Sequence, residues 1–517
     1  MAAVNPPRLG ETPMRNLLMG GLKWLYIVHR WLGIATCILC AIWFVSGLVM
    51  VYVPYPAFTE ADRMAYSEPL SLERVAVTPD QALAAAKAKA FPSQFKLVML
   101  RGEPVYRIVE GVERTSVSAV DGRVLGRASP AEAAAAVRRL VPDRQVGPVH
   151  EIVRDQWTVA QGFDPHRPLY RIGLAGADGL TLYVSSTTGE VIQDTRAKER
   201  LWNWMGSIPH WIYLTAIRQD NEVWRQAIMW TSGPAVIGAI TGVWLGLLRL
   251  KPRKNGPLVR ISPYRGWMQW HHLVGLAASL FVITWLVSGW LSVNPLHLFS
   301  RPPVSNAALA RYADQDKPAF ATDLAVLRGL PVRDAREARL IWMAGRPLVV
   351  LMGTSLAETV LDARTGTPVS LPRLTLVANA RTLVPTARVQ FVKLLTEDDD
   401  YWYSTRRNPR RLPVLRVGFD DVDRTWVHID PVTGEVLGRT DRSGRVYRWL
   451  FNLPHAFDLP ILMRHSPSRE AIIWFLSIGG LVVSVSGVVI GWRRLKLKFG
   501  IRRKARAAPP IKTGSAS

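Results

Sequence analysis

Cysteine is almost absent from this chain, with two in 517 residues, Cys37 and Cys40. Both lie in one long apolar run, where a thiol acts as a small apolar side chain, so no disulfide framework holds the polar regions together. Acid is missing as well, and its absence is local. Arg8, Arg15 and Lys23 precede the first apolar run against a single Glu11. Arg249, Lys251, Arg253, Lys254, Arg260 and Arg265 stand between the second and third runs with no acid, and nine Lys or Arg follow the fourth with none. Eighteen bases against one acid, in three short segments, account for most of the net charge of +25. A nucleic-acid binder would carry that charge on a polar domain. Placed beside apolar runs, it is the positive-inside signature of a membrane protein, and no nucleic-acid partner is expected.

Four runs can cross a bilayer, which takes roughly 20 predominantly apolar residues. They cover residues 26–53, 224–248, 267–293 and 471–492. The first is too long for a signal peptide and runs into VPYPAF without a small-residue cleavage pattern, so it reads as a retained anchor. The charge bias places residues 1–25, the basic loop 249–266 and the tail 493–517 in the cytoplasm. Residues 54–199 and 294–444 then form two outward domains, each followed by an approach segment, 200–223 and 445–470. In a bacterium this is a multi-pass inner-membrane protein with both termini cytoplasmic and its large domains in the periplasm.

The chain repeats itself. HRWLG at His29 matches HHLVG at His271, and in each case Ser-Gly follows thirteen residues after the Gly, at Ser46-Gly47 and Ser288-Gly289. RLWNWMGSIPH (200–210) matches RVYRWLFNLPH (445–455), and RQAIMW at Arg225 matches REAIIW at Arg469. Thr241-Gly242 and Ser486-Gly487 then correspond. Both halves start on the cytoplasmic side, so the repeat is parallel, with its pseudo-two-fold axis along the membrane normal. A smaller unit recurs in the outward domains: SAVDGRVLG, LYVSSTTGEVIQD, VLDARTGTPVS and VHIDPVTGEVLGR. Each places Asp-Gly or Thr-Gly between β-formers, the mark of a hairpin turn. Alanine-rich runs opened by Thr78-Pro79 and Ser129-Pro130 predict helices ahead of the first two.

A helix followed by a hairpin with a TGEV-like turn, twice per half, resembles the PepSY domain. With four spans the chain resembles the PepSY-associated transmembrane proteins of the iron-regulated type. The expected fold class is an α+β integral membrane protein, with four transmembrane helices in two parallel-repeat halves and two periplasmic PepSY-like α+β domains.

Four of the ten histidines take part in the repeat: His29, His210, His271 and His455. His29 lies six residues after Lys23 and His271 six after Arg265, about 9 Å inward at 1.5 Å per residue. Matched in depth across a pseudo-two-fold axis, they suit the two axial positions of a haem iron. His210 and His455, each after a proline near the outer face, make a second candidate pair. These four are the candidate iron ligands of two b-type haems, since no CxxCH for covalent attachment exists. His272 has Arg30 as its repeat counterpart and is not selected by symmetry; His297 and His465 are reserve ligands near the outer face. His428 reads as an ordinary strand residue. The Ser/Thr-Gly pairs are adequately explained by close helix packing. Arg30, Arg225 and Arg469 either meet haem propionates or mark the interface, and EDDD at 397–400 reads as a solvated loop.

The family resemblance implies an inner-membrane di-haem protein similar to ferric-siderophore reductases, passing electrons to Fe(III) held by a periplasmic chelate. No catalytic residue is assigned. With no GxGxxG after a strand, and cytoplasmic segments too short to fold one, the donor is expected to be quinol or a separate reductase. The alternatives are a haem-free scaffold presenting PepSY regulatory or peptidase-inhibitor modules, which needs no depth-matched histidines, and a transporter. Against the latter, the spans carry no acidic residue.

Overall fold

A computed structural model describes residues 11–251, 261–299, 303–315, 317–405 and 408–506, with side chains described between 20 and 499. Arg8, Arg253, Lys254, Arg260 and Lys512 of the basic segments lie outside the described residues, and the side chains of Glu11 and Arg15 do as well. Three helices are long and apolar enough to cross a membrane: Gly20–Tyr52, Asn221–Leu248 and Ser466–Phe499. The third expected span is a bent pair, Trp267–Ala277 and Ser279–Leu291, meeting at 72°. No proline causes this break. At the break Ser279 Oγ donates to the Leu276 carbonyl at 2.8 Å. Counting the pair as one, four spans pack as a bundle, the first against the second and fourth, the third against the same two.

The sequence units become three antiparallel sheets. In the first half β1 (Gln94–Leu100), β2 (Glu103–Glu110) and β3 (Glu113–Ser118) are followed by β4 (Val146–Ile152), β5 (Leu169–Leu174), β6 (Thr181–Ser185) and β7 (Val191–Thr195). The second half repeats this with β8 (Ala335–Met343), β9 (Arg346–Gly353), β10 (Glu358–Asp362), β11 (Val389–Leu395), β12 (Val414–Phe419), β13 (Trp426–Ile429) and β14 (Val436–Thr440). The helices Pro79–Ala85 and Pro130–Leu140 start at Thr78 and Ser129 with reciprocal capping boxes. Gly122, Gly189, Gly366 and Gly434, one in each recurring turn, all have φ between +71° and +78°, which only glycine adopts freely.

The two regions between the spans, 54–199 and 294–444, are not separate bodies. Strands β1 and β8 pair antiparallel, Lys96 opposite Arg339, so six strands form one sheet in the order β10-β9-β8-β1-β2-β3. One apolar core runs through both halves, from Leu72, Leu97 and Tyr106 to Phe320, Leu340 and Val349. A buried ion-pair network sits on the seam. Glu337, 1 % exposed, meets Arg63 at 2.6 Å and Lys96 at 3.3 Å. Burial alone would raise its carboxyl, but Lys96 and Arg63 overcome that and hold it at about 2. The glutamates of the two TGEV turns reach back to the same rows: Glu190 to Lys96 at 4.0 Å and Glu435 to Arg339 at 2.7 Å.

Candidate functional site

The four repeat histidines come together in two pairs. His29 and His271 have ring centroids 6.2 Å apart, and His210 and His455 6.1 Å apart. The pairs lie at different depths. His210 is held at Trp43 and Ser46 of the first span, 14 and 17 residues beyond His29, which is about 21–26 Å along a helix. Against a hydrocarbon layer of about 30 Å, that puts one pair toward each face.

Each ring is seated in the same way on a neighbouring span. His29 Nδ1 bonds the Gly238 carbonyl at 3.0 Å, and His271 Nδ1 bonds the Val483 carbonyl at 3.1 Å and Ser486 Oγ at 3.2 Å. His210 Nδ1 meets the Trp43 carbonyl at 3.2 Å and Ser46 Oγ at 3.1 Å. His455 Nδ1 meets Ser288 Oγ at 3.0 Å, with the Trp285 carbonyl also engaged. The seat is therefore a carbonyl, a hydroxyl three residues on, and a glycine next to it. A Cβ at Gly47 would stand 3.3 Å from His210 Cε1, at Gly289 3.4 Å from His455 Cε1, and at Gly487 3.3 Å from His271 Cε1. At Gly242 it would stand 2.6 Å from His29 Cε1. The small residues of the Ser/Thr-Gly pairs therefore do more than bring helices together: they seat imidazoles. All four hydroxyls donate to carbonyls of their own helix, and Thr241 is the exception in that, among the described residues, it has no bond to its histidine.

This seating has a chemical consequence. A carbonyl only accepts, so Nδ1 carries the proton and Nε2 is left as the basic nitrogen able to ligate a metal. Among the described residues no hydrogen bond engages Nε2 of any of the four. Two imidazoles bound to one iron, each about 2.0–2.1 Å from it, have ring centres about 6 Å apart. The observed separations match that spacing. The inner pair also lines a cavity of about 470 Å³ between the spans. Gly33 and Gly275, the glycines of the HRWLG and HHLVG repeats, open onto it, and Arg30, Arg249 and Arg494 line it too.

His272 is different. Its Nδ1 bonds Ser262 Oγ and its Nε2 the Gly246 carbonyl, both at 2.8 Å, so both nitrogens are used structurally. His297 ends a short 3-10 turn and His465 lies in a surface cavity with Asp400 and Arg464, neither joining another histidine. His428 is buried, accepts from Arg416 Nε at 2.9 Å and stacks on Trp402. Burial and Arg416 push it down to about 3.

Of the candidate propionate partners, Arg30 alone faces the inner cavity. Arg225 pairs with Glu222, and Arg469 donates to the Ala456 and Phe457 carbonyls just past His455. EDDD is not a free solvated loop. Asp399 forms a two-pronged pair with the buried Arg416, Asp398 accepts from the Ser404 amide, and only Glu397 stays largely exposed. Cys37 and Cys40 are free thiols lining the inner cavity.

The approach segments, which the sequence reads as short interfacial helices or turns, are short helices: Ala197–Met205 with Ser207–His210, and Arg442–Tyr447 continuing to Ala456 through a π-helical turn. The second is closed by a buried ion pair, Arg448 to Asp458 at 2.5 Å, with Tyr403 also donating to Asp458. The first has Asn203 in Arg448's place, donating to the Pro54 and Glu199 carbonyls. The difference between RxxR (445–448) and RxxN (200–203) in the aligned repeat was the available signal.

The model for the PepSY-associated TM region matches residues 26–327. No curated protein matches the chain.

Proposed function

We propose, for a chain that belongs to the PepSY-associated TM region family, that its bundle carries two b-type haems and moves electrons outward to reduce chelated Fe(III). The observation that carries this reading is the pair of histidine pairs at iron-bridging separation, each Nδ1 anchored and each Nε2 without a hydrogen bond among the described residues. The residues fit the group. His29 and His271 would hold one haem in the inner cavity, with Arg30 placed for a propionate; His210 and His455 would hold the other. Bis-imidazole haem, when bound, supplies a coordinatively closed iron suited to single-electron transfer.

The chain's own residues do the rest. The carbonyl and hydroxyl seats fix the tautomer and limit ring rotation, which raises ligand basicity. The apolar spans exclude water from the path across the membrane. At the outer face, one electron converts Fe(III) in a hard-oxygen chelate to Fe(II), which those oxygens hold less well. The electron donor is quinol or a separate reductase on the inner side.

The test is the absorption spectrum of the purified full-length protein, oxidised and then dithionite-reduced, with haem counted per chain. Two b-type haems per chain are expected. A protein purified from haem-replete cells without b-type bands would overturn the reading and leave a haem-free scaffold.

A further inference from the structure

Two cavities adjoin in the first outward half, on either side of Phe58, His166 and Ile192. One, of about 350 Å³, is lined by Tyr55, Phe58, Trp157, Phe163 and Tyr213 and by no charged side chain other than the imidazole of His166. The other, of about 280 Å³, is lined by the bases Arg63, Lys96, Arg107 and Arg114 and by the carboxylates Glu68 and Glu190. Three of these bases already have carboxylates: Arg63 meets Glu60 and Glu337, Lys96 meets Glu190 and Glu337, and Arg107 meets Glu190 at 3.4 Å. Arg114 has none among the described residues and donates only to the Val112 carbonyl. Arg107, 2 % exposed, has its Nε buried without a partner. One positive charge without a carboxylate, Arg114, therefore faces a cavity that adjoins an aromatic chamber across Phe58, His166 and Ile192.

The aromatic chamber leads toward the outer histidines. Tyr55 stands 5.9 Å from Trp157, 5.9 Å from Trp211 and 5.2 Å from Tyr213, centroid to centroid. Trp211 follows His210 directly in the chain. The second half is built differently. Trp402, which precedes a cis-proline by the same eleven residues as Trp157, is packed between His428 at 4.3 Å and Arg410 at 4.6 Å. Its faces are taken by the protein's own side chains.

We propose that these adjoining cavities bind an anionic, aryl-bearing arm of the iron chelate, a catecholate or aryl carboxylate, so that the outward electron leaves through the first half alone. The aryl ring fits the chamber of Tyr55, Phe58, Trp157 and Phe163, and the anionic oxygen meets Arg114. This rests on the electron-transfer reading for its purpose, but the site itself is readable without any electron moving.

The experiment uses full-length protein in detergent and two redox-inert Ga(III) complexes, one of dihydroxybenzoate and one of acetohydroxamate, with binding followed by calorimetry. Saturable binding of the catecholate complex is expected, at least about tenfold tighter than the hydroxamate. Arg114→Gln should weaken the catecholate complex by about tenfold or more. Its fold is expected to be intact, since it breaks no carboxylate pair; Phe163→Leu, which keeps an apolar side chain, serves as the second variant and should also lose affinity. No saturable binding, equal affinity for the two complexes, or unchanged affinity in both variants would overturn the site. Because Ga(III) is not reduced, a haem-containing protein that fails to bind refutes this site alone. A haem-free protein that binds refutes the electron-transfer reading alone.

Discussion

Gly242→Ala tests the seating of the inner histidine most directly. A methyl group there would start 2.6 Å from His29 Cε1, 3.1 Å from Nδ1 and 3.6 Å from Nε2. Ordinary carbon contacts are about 3.5 Å or longer, so the ring must retreat by close to 1 Å or the second span must move. Metal–ligand distances tolerate only about 0.2 Å. The ring cannot meet both demands, and overpacking of this kind costs about 1–3 kcal/mol besides. Gly289→Ala supplies the internal control, because its Cβ would meet His455 Cε1 at 3.4 Å, close to normal contact. The assay is haem per chain by pyridine haemochrome, with the reduced spectrum. Gly242→Ala should fall from two haems toward one, while Gly289→Ala keeps two. Two haems and an unaltered spectrum in Gly242→Ala would refute the argument that this glycine seats a ligand.

His271→Ala should remove one haem's share of the reduced spectrum, whereas His272→Ala should keep both haems and lower only thermal stability, because it leaves Ser262 Oγ and the Gly246 carbonyl without their partner. Arg448→Met strands Asp458 as a buried, unpaired carboxylate, which costs about 3–5 kcal/mol; haem content is expected to drop at the outer pair, and full retention would refute a positioning role for the ion pair. Glu337 is held at about 2, below its ordinary value of 4.5, by Lys96 and Arg63 against its burial. Its contribution to stability is thus present above pH 4.5 and fades as pH falls toward 2. Thermal unfolding of wild type should therefore weaken across that window, and Glu337→Gln should be less stable at neutral pH with a flatter acid profile.

Much of the plan is open to a one-dimensional reading because it rests on period and local chemistry. Apolar length gives the spans, and basic residues beside them give the orientation expected by the positive-inside rule. Glycine at Gly122, Gly189, Gly366 and Gly434 marks hairpin turns whose backbone requires φ > 0. The duplicated patterns single out His29, His210, His271 and His455 from ten histidines, and leave His272 aside.

Other features needed the tertiary structure, because they join residues far apart in the chain. The break at Ala278 lies in a segment that reads as a continuous apolar helix. Edge pairing of β1 with β8 merges two apparent domains, since an unpaired sheet edge offers the same backbone groups whatever its side chains. The Ser/Thr-Gly pairs look like packing residues until His210 is seen on Ser46-Gly47 and His271 on Ser486-Gly487. The sequence by itself determined which histidines are equivalent in the repeat and gave an expected, matched depth for His29 and His271. Which ring faces which, which nitrogen stays free, and what seats each imidazole were decided only when the spans packed, because those contacts cross more than 160 residues of chain.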